Sequence, residues 1–337
     1  MFLFYSDLHI HEGTEAVCDL VLTEIGKLAR KHKATIINGG DTHNTRGLIQ
    51  TSSLDLLTRH YNKWAADGLV QNILVGNHDQ EDREGEIHPM RSYELHPGWA
   101  VIDKPTVLDG VAYFPYMPRE QVKAAIDEIP KGVKTAVVHW GIQGAKRNDW
   151  NVDTDGIPLE WLAKFRRVFS GHYHFRNALG NVQYIGDPYQ QNHAESNQPK
   201  GVILYDNSKD KISFVEIEGT PRFYEVTYSI SEKGKVVCEG QDENKNLGQI
   251  KKGDHVKVKI KGDAEAVSSV THEDIARYFK CDHVKFDREG TVKSHSRLGI
   301  EAGEALDSPT LMKKYVDFVD TTLDRKRLME VGLELIR

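Results

Sequence analysis

The stretch LVGNHDQ, residues 74–80, decides how the chain is read. An apolar run over residues 70–75 ends in a glycine, and an amide, an imidazole and a carboxylate follow as Asn77, His78 and Asp79. Polar groups set just past a buried strand are how α/β folds place active sites at the carboxyl ends of their strands. The pattern recurs on either side: Asp7 and His9 follow FLFYS, Asp41 follows ATIINGG, His139 follows TAVV, and His172 and His174 follow VFSG. Singly, each has an ordinary explanation: Asp41 as a helix N-cap, His139 as a core histidine, the HxH pair as surface side chains. Five such strand ends in one chain argue for one site.

The surrounding pattern supports an α/β first half. Apolar residues at three-to-four spacing (Val17, Leu20, Val21, Ile25, Leu28) predict a helix over 14–33 with Thr14 as N-cap, and further helices are expected over 54–64 and 121–129. Past Gly180, VQYIGDP, GVILYD, ISFVEI and RFYEVTYS follow one another closely with turn residues between, which predicts antiparallel strands. A turn at Gly219, Thr220 and Pro221 marks a boundary, beyond which come the strand HVKVKIKG and a helix over 272–279. Two amphipathic helices close the sequence, the first starting at Ser308 and Pro309, the second following Asp324. The expected domains are 1–218, 219–305 and 306–337.

Composition bounds the function. The 337 residues are 28% charged and 39% hydrophobic, as in an ordinary globular protein of about two domains. Cys18, Cys238 and Cys281 are odd in number and in no CxxC spacing, which points to a reducing compartment. The opening MFLFYSDLHI lacks the charged head and cleavage site of a signal peptide, and no apolar run approaches the ~18 residues of a membrane span. A cytoplasmic setting, bacterial or phage-infected, with no membrane partner, is expected. The net charge of -6, from 44 Lys plus Arg against 50 Asp plus Glu, excludes nucleic-acid binding by global basicity.

Asp7, His9, Asp41, Asn77, His139, His172 and His174 supply hard carboxylate oxygen, imidazole nitrogen and one amide oxygen, with no thiolate. That mixture suits Mn²⁺, Fe²⁺ or Zn²⁺ in an open site. Seven ligands exceed what one such ion takes. A pair bridged by a carboxylate, roughly 3.5–4 Å apart, would use them all and would clamp a phosphorus ester for in-line attack.

DLH, GGD, GNHD, VHWG and GHYH, in this order, resemble the calcineurin-like metallophosphoesterases. The resemblance implies a β-sandwich flanked by helices, with Asp7, His9 and His174 on one metal, Asn77, His139 and His172 on the other, and Asp41 bridging. It leaves His78 facing the scissile phosphate, as charge stabiliser or proton donor, with Asp79 orienting its ring. HPMRSYELHPGWAVIDKPTVLDGVAYFPYM and YIGDPYQQNHAE are similar to segments of the Mre11/SbcD DNA nucleases, and most of all to their shorter phage relatives. This implies a Mn-preferring exonuclease/endonuclease acting in recombination, repair or DNA degradation, with Mg, Fe or Zn as other metals. It also implies a homodimer built on helices near residues 54–64 and 90–95, a small α+β capping domain that orients DNA, and C-terminal helices that dock a Rad50/SbcC-like ATPase through Leu311, Tyr315, Val319, Leu328, Val331 and Leu335. On the same core, a phosphatase or cyclic phosphodiesterase for a small substrate is the alternative, and a non-enzymatic scaffold is disfavoured by the complete ligand set. DLHIH, with His11, also resembles the opening of the PHP phosphoesterases, a reading that leaves GGD, GNHD and GHYH as coincidences.

DNA as substrate requires Lys and Arg contacts to phosphates. Lys146 and Arg147 after VHWG, Arg166 (with Lys164 and Arg167) before GHYH, Arg176 after it, and Lys257, Lys259 and Lys261 along one strand face are the candidates. For the last three, an edge strand protected by lysines is an equal reading. Asp187 in YIGDP stands where the nucleases carry a small neutral residue, and near a phosphate it requires a basic partner.

Overall fold

The computed structural model describes the chain apart from residues 45, 83–84, 95, 149, 197, 231–235, 240–249, 292–307, 320–323 and 336–337. It divides into two compact units: Met1–Glu225 with Asn246–Lys257 and Ala276–Lys285, and Val226–Lys245 with Val258–Ile275 and Phe286–Arg337.

The first unit carries two six-stranded sheets. One contains β1 (Phe2–Tyr5), β2 (Thr35–Asn38), β3 (Gln71–Leu74), β4 (Ala100–Ile102), β11 (Gly201–Asp206) and β12 (Lys211–Glu216), ordered β12-β11-β1-β2-β3-β4. The other contains β5 (Thr106–Leu108), β6 (Val111–Phe114), β7 (Thr135–Val138), β8 (Arg167–Ser170), β9 (Ala178–Leu179) and β10 (Val182–Tyr184), ordered β5-β6-β7-β8-β10-β9. Strands β1 to β4 are parallel, as are β6, β7, β8 and β10, while β11, β12, β5 and β9 pair antiparallel at the flanks.

Strand alternation explains the uninterrupted apolar runs, since both faces of each central strand are buried. Leu3, Tyr5 and Ile36 enter a core with helices α1 (Glu15–His32) and α2 (Thr51–Ala66), whereas Phe4 and Ile37 meet Val137, Phe169 and Ile203 between the sheets. There Phe4 and Phe169 stack at 4.1 Å. Ala136, Val138 and Val168 face the opposite way, packing with Val122 and Ile126 of α3 (Arg119–Glu128). The architecture is a mixed α/β sandwich flanked by helices, in agreement with the calcineurin-like expectation.

Three expectations are corrected. Thr14 occupies the N-cap position of α1 without a side-chain cap; its hydroxyl instead donates to the His11 carbonyl and accepts the His11 N–H. VQYIGDP supplies β10, which joins β8 in parallel, so the antiparallel succession begins only at β11. Residues 89–93 form a short 3-10 helix, Pro89–Tyr93, whose Met90 and Tyr93 lie with Leu57, Tyr61 and Trp64 of α2 in the core. The helix expected near residues 90–95 is thus a short 3-10 helix that ends at Tyr93.

A four-stranded sheet is ordered β14-β13-β15-β16, from β13 (Phe223–Ile230), β14 (Val236–Glu239), β15 (His255–Asp263) and β16 (His283–Thr291). Helices α4 (Ala264–Ser268) and α5 (His272–Phe279) lie between β15 and β16 in the chain. In the second unit α6 (Ser308–Phe318) packs against α7 (Arg325–Leu335). The expected boundary at 305/306 lies outside the described residues.

Candidate metal centre

The loops after β1 and β2 run side by side: the N–H groups of Asp7, His9 and Ile10 donate to the carbonyls of Gly40, Asp41 and Thr42 at 2.9, 3.0 and 3.0 Å. Asp7, His9, Asp41 and His172 all take positive φ, at 55°, 46°, 53° and 82°. For residues bearing a side chain this conformation costs of order 1–3 kcal/mol each and persists only where the surroundings over-determine it. Here it turns four candidate ligands off strand ends into one volume. Gly76 permits the approach, since a Cβ there would fall on the Asp41 carboxylate and backbone nitrogen.

The seven expected ligands converge. Asp7 accepts the His172 N–H at 3.1 Å, and Asp41 Oδ1 accepts that of His78 at 2.8 Å. Asp41 Oδ2 is thereby left between His139 Nε2 at 3.2 Å and His9 Nε2 at 3.7 Å. Asn77 Oδ1 lies 2.9 Å from His172 Nδ1 and 3.2 Å from His139 Nε2. His174 Nε2 faces His9 Nε2 at 3.1 Å. The groups Asp7–His9–His174 and Asp41–His139–His172 each bring ligand atoms within 4.8 Å of one another and could hold a metal ion.

Supporting contacts fix which nitrogen faces inward. His139 Nδ1 donates to the Gly39 carbonyl at 2.7 Å, and His174 Nδ1 donates to Glu195 Oε1 at 2.9 Å, leaving each Nε2 directed into the site. Burial pushes His9 and His172 down to about 3, which keeps both rings neutral with lone pairs available. Burial also opposes charge on His139 and His174, yet Asp41 beside the first, and Asp187 and Glu195 beside the second, draw them up to about 9. The buried carboxylates thus favour positive charge at this centre. Hard oxygens, imidazoles aimed inward by second partners and buried negative charge together fit divalent ions.

His78 stands beside this cluster, its ring edge-on to His9 with centroids 4.7 Å apart. Asp79 does not orient it. His78 Nδ1 donates to the Asn44 carbonyl at 2.8 Å, while the buried Asp79 carboxylate accepts the N–H groups of His43 at 2.9 Å and Gly76 at 3.0 Å. Burial, with Asp41 nearby, pushes Asp79 up to about 7. Asp79 thus fastens the loop carrying Asp41 to the loop carrying Asn77.

Sequence reasoning did not single out Glu195, Lys200 or Asn44. Burial opposes ionisation of Glu195, but the hydrogen bond from His174 and the charge of Lys200 hold its carboxyl below the usual range. Asp187 finds its basic partner in the buried Lys200, which also lies 3.2 Å from Glu195. The acid in YIGDP was the available signal; its partner is thirteen residues further on.

The basic candidates differ in placement. Arg147 donates to Asp153 at 3.0 Å and to the Tyr173 hydroxyl at 3.2 Å, and lines a cavity of about 340 Å³ with His172; Lys146 is exposed beside it. Arg176 lies over the Phe214 ring at 3.9 Å. Arg166 stands before β8, at the end of that strand remote from His172, bonded to Tyr205 and Asn207; Lys164 and Arg167 are likewise tied to the Ile126 and Ile129 carbonyls and to Asp210. Strand polarity therefore removes this cluster from the site. On β15, Val256, Val258 and Ile260 are buried, while Lys257 pairs with Glu225 at 3.4 Å and Lys261 with Glu289 at 3.8 Å; Lys259 is half-buried. His11 bonds locally to the His9 carbonyl and Thr14. In the C-terminal helices Leu311, Tyr315 and Val331 are exposed and Leu328 is half-buried, as is Val319 just past α6; the Leu335 side chain lies outside the described residues.

No family model matches the chain. Among curated proteins it is similar to Exonuclease subunit 1 of Enterobacteria phage T4, with 26% identity over 189 residues, covering 54% of this chain and 55% of that protein. The chain spans about half the length of the curated relative it matches. By sequence, then, it is a distant relative of a phage exonuclease subunit.

Proposed function

We propose that the chain is a metal-dependent DNA nuclease subunit of the Mre11/SbcD kind, hydrolysing phosphodiesters at the centre formed by Asp7, His9, Asp41, Asn77, His139, His172 and His174. The convergence of these seven side chains from five strand ends, with His78 at its edge, is the observation that carries the reading. The likeness to a phage exonuclease subunit supports DNA as substrate.

Asp7, His9 and His174 would hold one divalent ion and Asn77, His139 and His172 a second, with Asp41 between them; Mn is preferred. When bound, such a pair supplies Lewis-acid activation of water and of the phosphoryl group. The chain's own residues do the rest. Hydrogen bonding to the Asn44 carbonyl places the proton of His78 on Nδ1, so Nε2 can take up a second proton and deliver it to the leaving oxygen. Asn77 contributes a neutral oxygen, which limits the negative charge that an incoming phosphodiester meets. Arg147, pinned by Asp153 and Tyr173, is the basic group best placed to receive a neighbouring phosphate. Residues 219–305 would orient DNA, and residues 306–337 would dock a Rad50/SbcC-like ATPase through Leu311, Tyr315 and Val331, in a cytosolic homodimeric complex.

The test is incubation of the purified chain with linear duplex DNA and Mn²⁺, Mg²⁺ or no metal, alongside a small aryl phosphodiester. Mn²⁺-dependent cutting of DNA is expected. Turnover of the small ester without cutting of DNA, even with the ATPase added, would replace the nuclease by a small-substrate phosphodiesterase.

A further inference from the structure

Behind His174, on the side away from the ligand cluster, lies a buried group that the proposed chemistry does not use. Asp187 and Glu195 both approach the same ring nitrogen, His174 Nδ1, with carboxylate oxygens at 3.5 and 2.9 Å. That nitrogen has one proton to donate, so only one carboxylate can receive it. Glu195 is prepared for the role: Gln191 N–H donates to its Oε2 at 2.9 Å and Asn192 Nδ2 donates to its Oε1 at 2.8 Å.

Asp187 is the surplus acid, and a buried polar side chain left without a partner there would be costly. Lys200 meets it. The Lys200 ammonium, only 5% exposed, contacts Asp187 Oδ1, lies 3.2 Å from Glu195 Oε2, and donates to the backbone carbonyl of His174 at 3.0 Å. One cation thus touches the competing acid, the orienting acid and the main chain of the ligand itself. This set of His174, Asp187 and Glu195 has the spacing of a metal site, but Lys200 supplies the positive charge within it.

We infer that Lys200 is a positioning residue for the metal held by Asp7, His9 and His174: it ties off Asp187 so that Glu195 alone orients the His174 ring. The inference rests on the proposed metal centre. Its signature is sign-changing coupling, because removing Lys200 frees Asp187 to compete with Glu195 for the His174 Nδ1 proton, and replacing that acid should relieve the competition.

Mn²⁺ binding to the full chain, measured by titration calorimetry and by the electron paramagnetic resonance of free Mn²⁺, tests it independently of DNA cutting. Lys200→Met should weaken one of two sites by about 10- to 100-fold, the range seen when groups behind a ligand are lost. Lys200→Arg should retain both sites, and Asp187→Asn/Lys200→Met should recover the lost one with Glu195 still in place. Unchanged binding by folded Lys200→Met would overturn the inference, as would a double variant no better than the single one. Should Lys200→Met fail to fold, the double variant, with its charges balanced, still decides: failure to bind a second ion overturns the proposal. A wild-type chain that binds no Mn²⁺ would instead refute the proposed metal centre.

Discussion

Replacing Asp79 by alanine separates a structural role from a catalytic one. Its side chain is buried and joins two loops by accepting the His43 and Gly76 N–H groups at 2.9 and 3.0 Å. Asp79→Ala strands both donors in the interior. Each buried N–H left without a partner costs about 1–3 kcal/mol, so the pair amounts to about 2–6 kcal/mol. Asp79→Asn keeps one acceptor oxygen but turns an N–H₂ toward the other donor, and should fall between the two. Urea unfolding of metal-free protein, followed by tryptophan fluorescence, reads the difference as a lower midpoint with an unchanged slope. Mn²⁺ affinity should fall as well, because Asp41 and Asn77 stand on the loops that Asp79 joins. A variant that unfolds at the wild-type midpoint and binds Mn²⁺ normally, yet no longer cuts DNA, would refute this reasoning and return Asp79 to service of His78.

Gly76→Ala should weaken Mn²⁺ binding: its Cβ would displace Asp41, and overpacking of about 1–3 kcal/mol corresponds to roughly tenfold per 1.4 kcal/mol; normal affinity in a titration would contradict this. His78→Ala should abolish cleavage while both ions still bind, which calorimetry beside a nuclease assay would show. Burial pushes the Cys18 thiol up to about 12, so it stays protonated and resists alkylation at mildly alkaline pH until the chain unfolds; mass spectrometry of iodoacetamide-treated native protein checks it. Deleting residues 308–337 should leave Mn²⁺-dependent cutting intact but abolish co-purification with the ATPase.

What was legible in the sequence is local. GNHD, GGD and GHYH announce themselves because a short apolar run, a glycine and a ligand are adjacent in the chain, and the sheets are parallel at just those strands. Pairing across the fold leaves no such trace. VQYIGDP reads like its neighbours downstream, yet β10 lies beside β8, a choice made by which sheet buries Val182 and Tyr184. Asn44 holds His78 through a backbone carbonyl, which every residue possesses, so nothing marks it. Lys200 reads as a surface lysine until its distance to Asp187 and Glu195 is known. Basic residues counted by proximity to GHYH misled for a geometric reason: Lys164 to Arg167 precede a strand whose other end carries the site.

The most direct measurement is anomalous diffraction from crystals of the full chain grown with Mn²⁺. Two peaks roughly 3.5–4 Å apart are expected, one among Asp7, His9 and His174, the other among Asn77, His139 and His172, with Asp41 between them. A single peak, or an ion lodged among His174, Asp187 and Glu195 in place of the Lys200 ammonium, would contradict the two-metal centre.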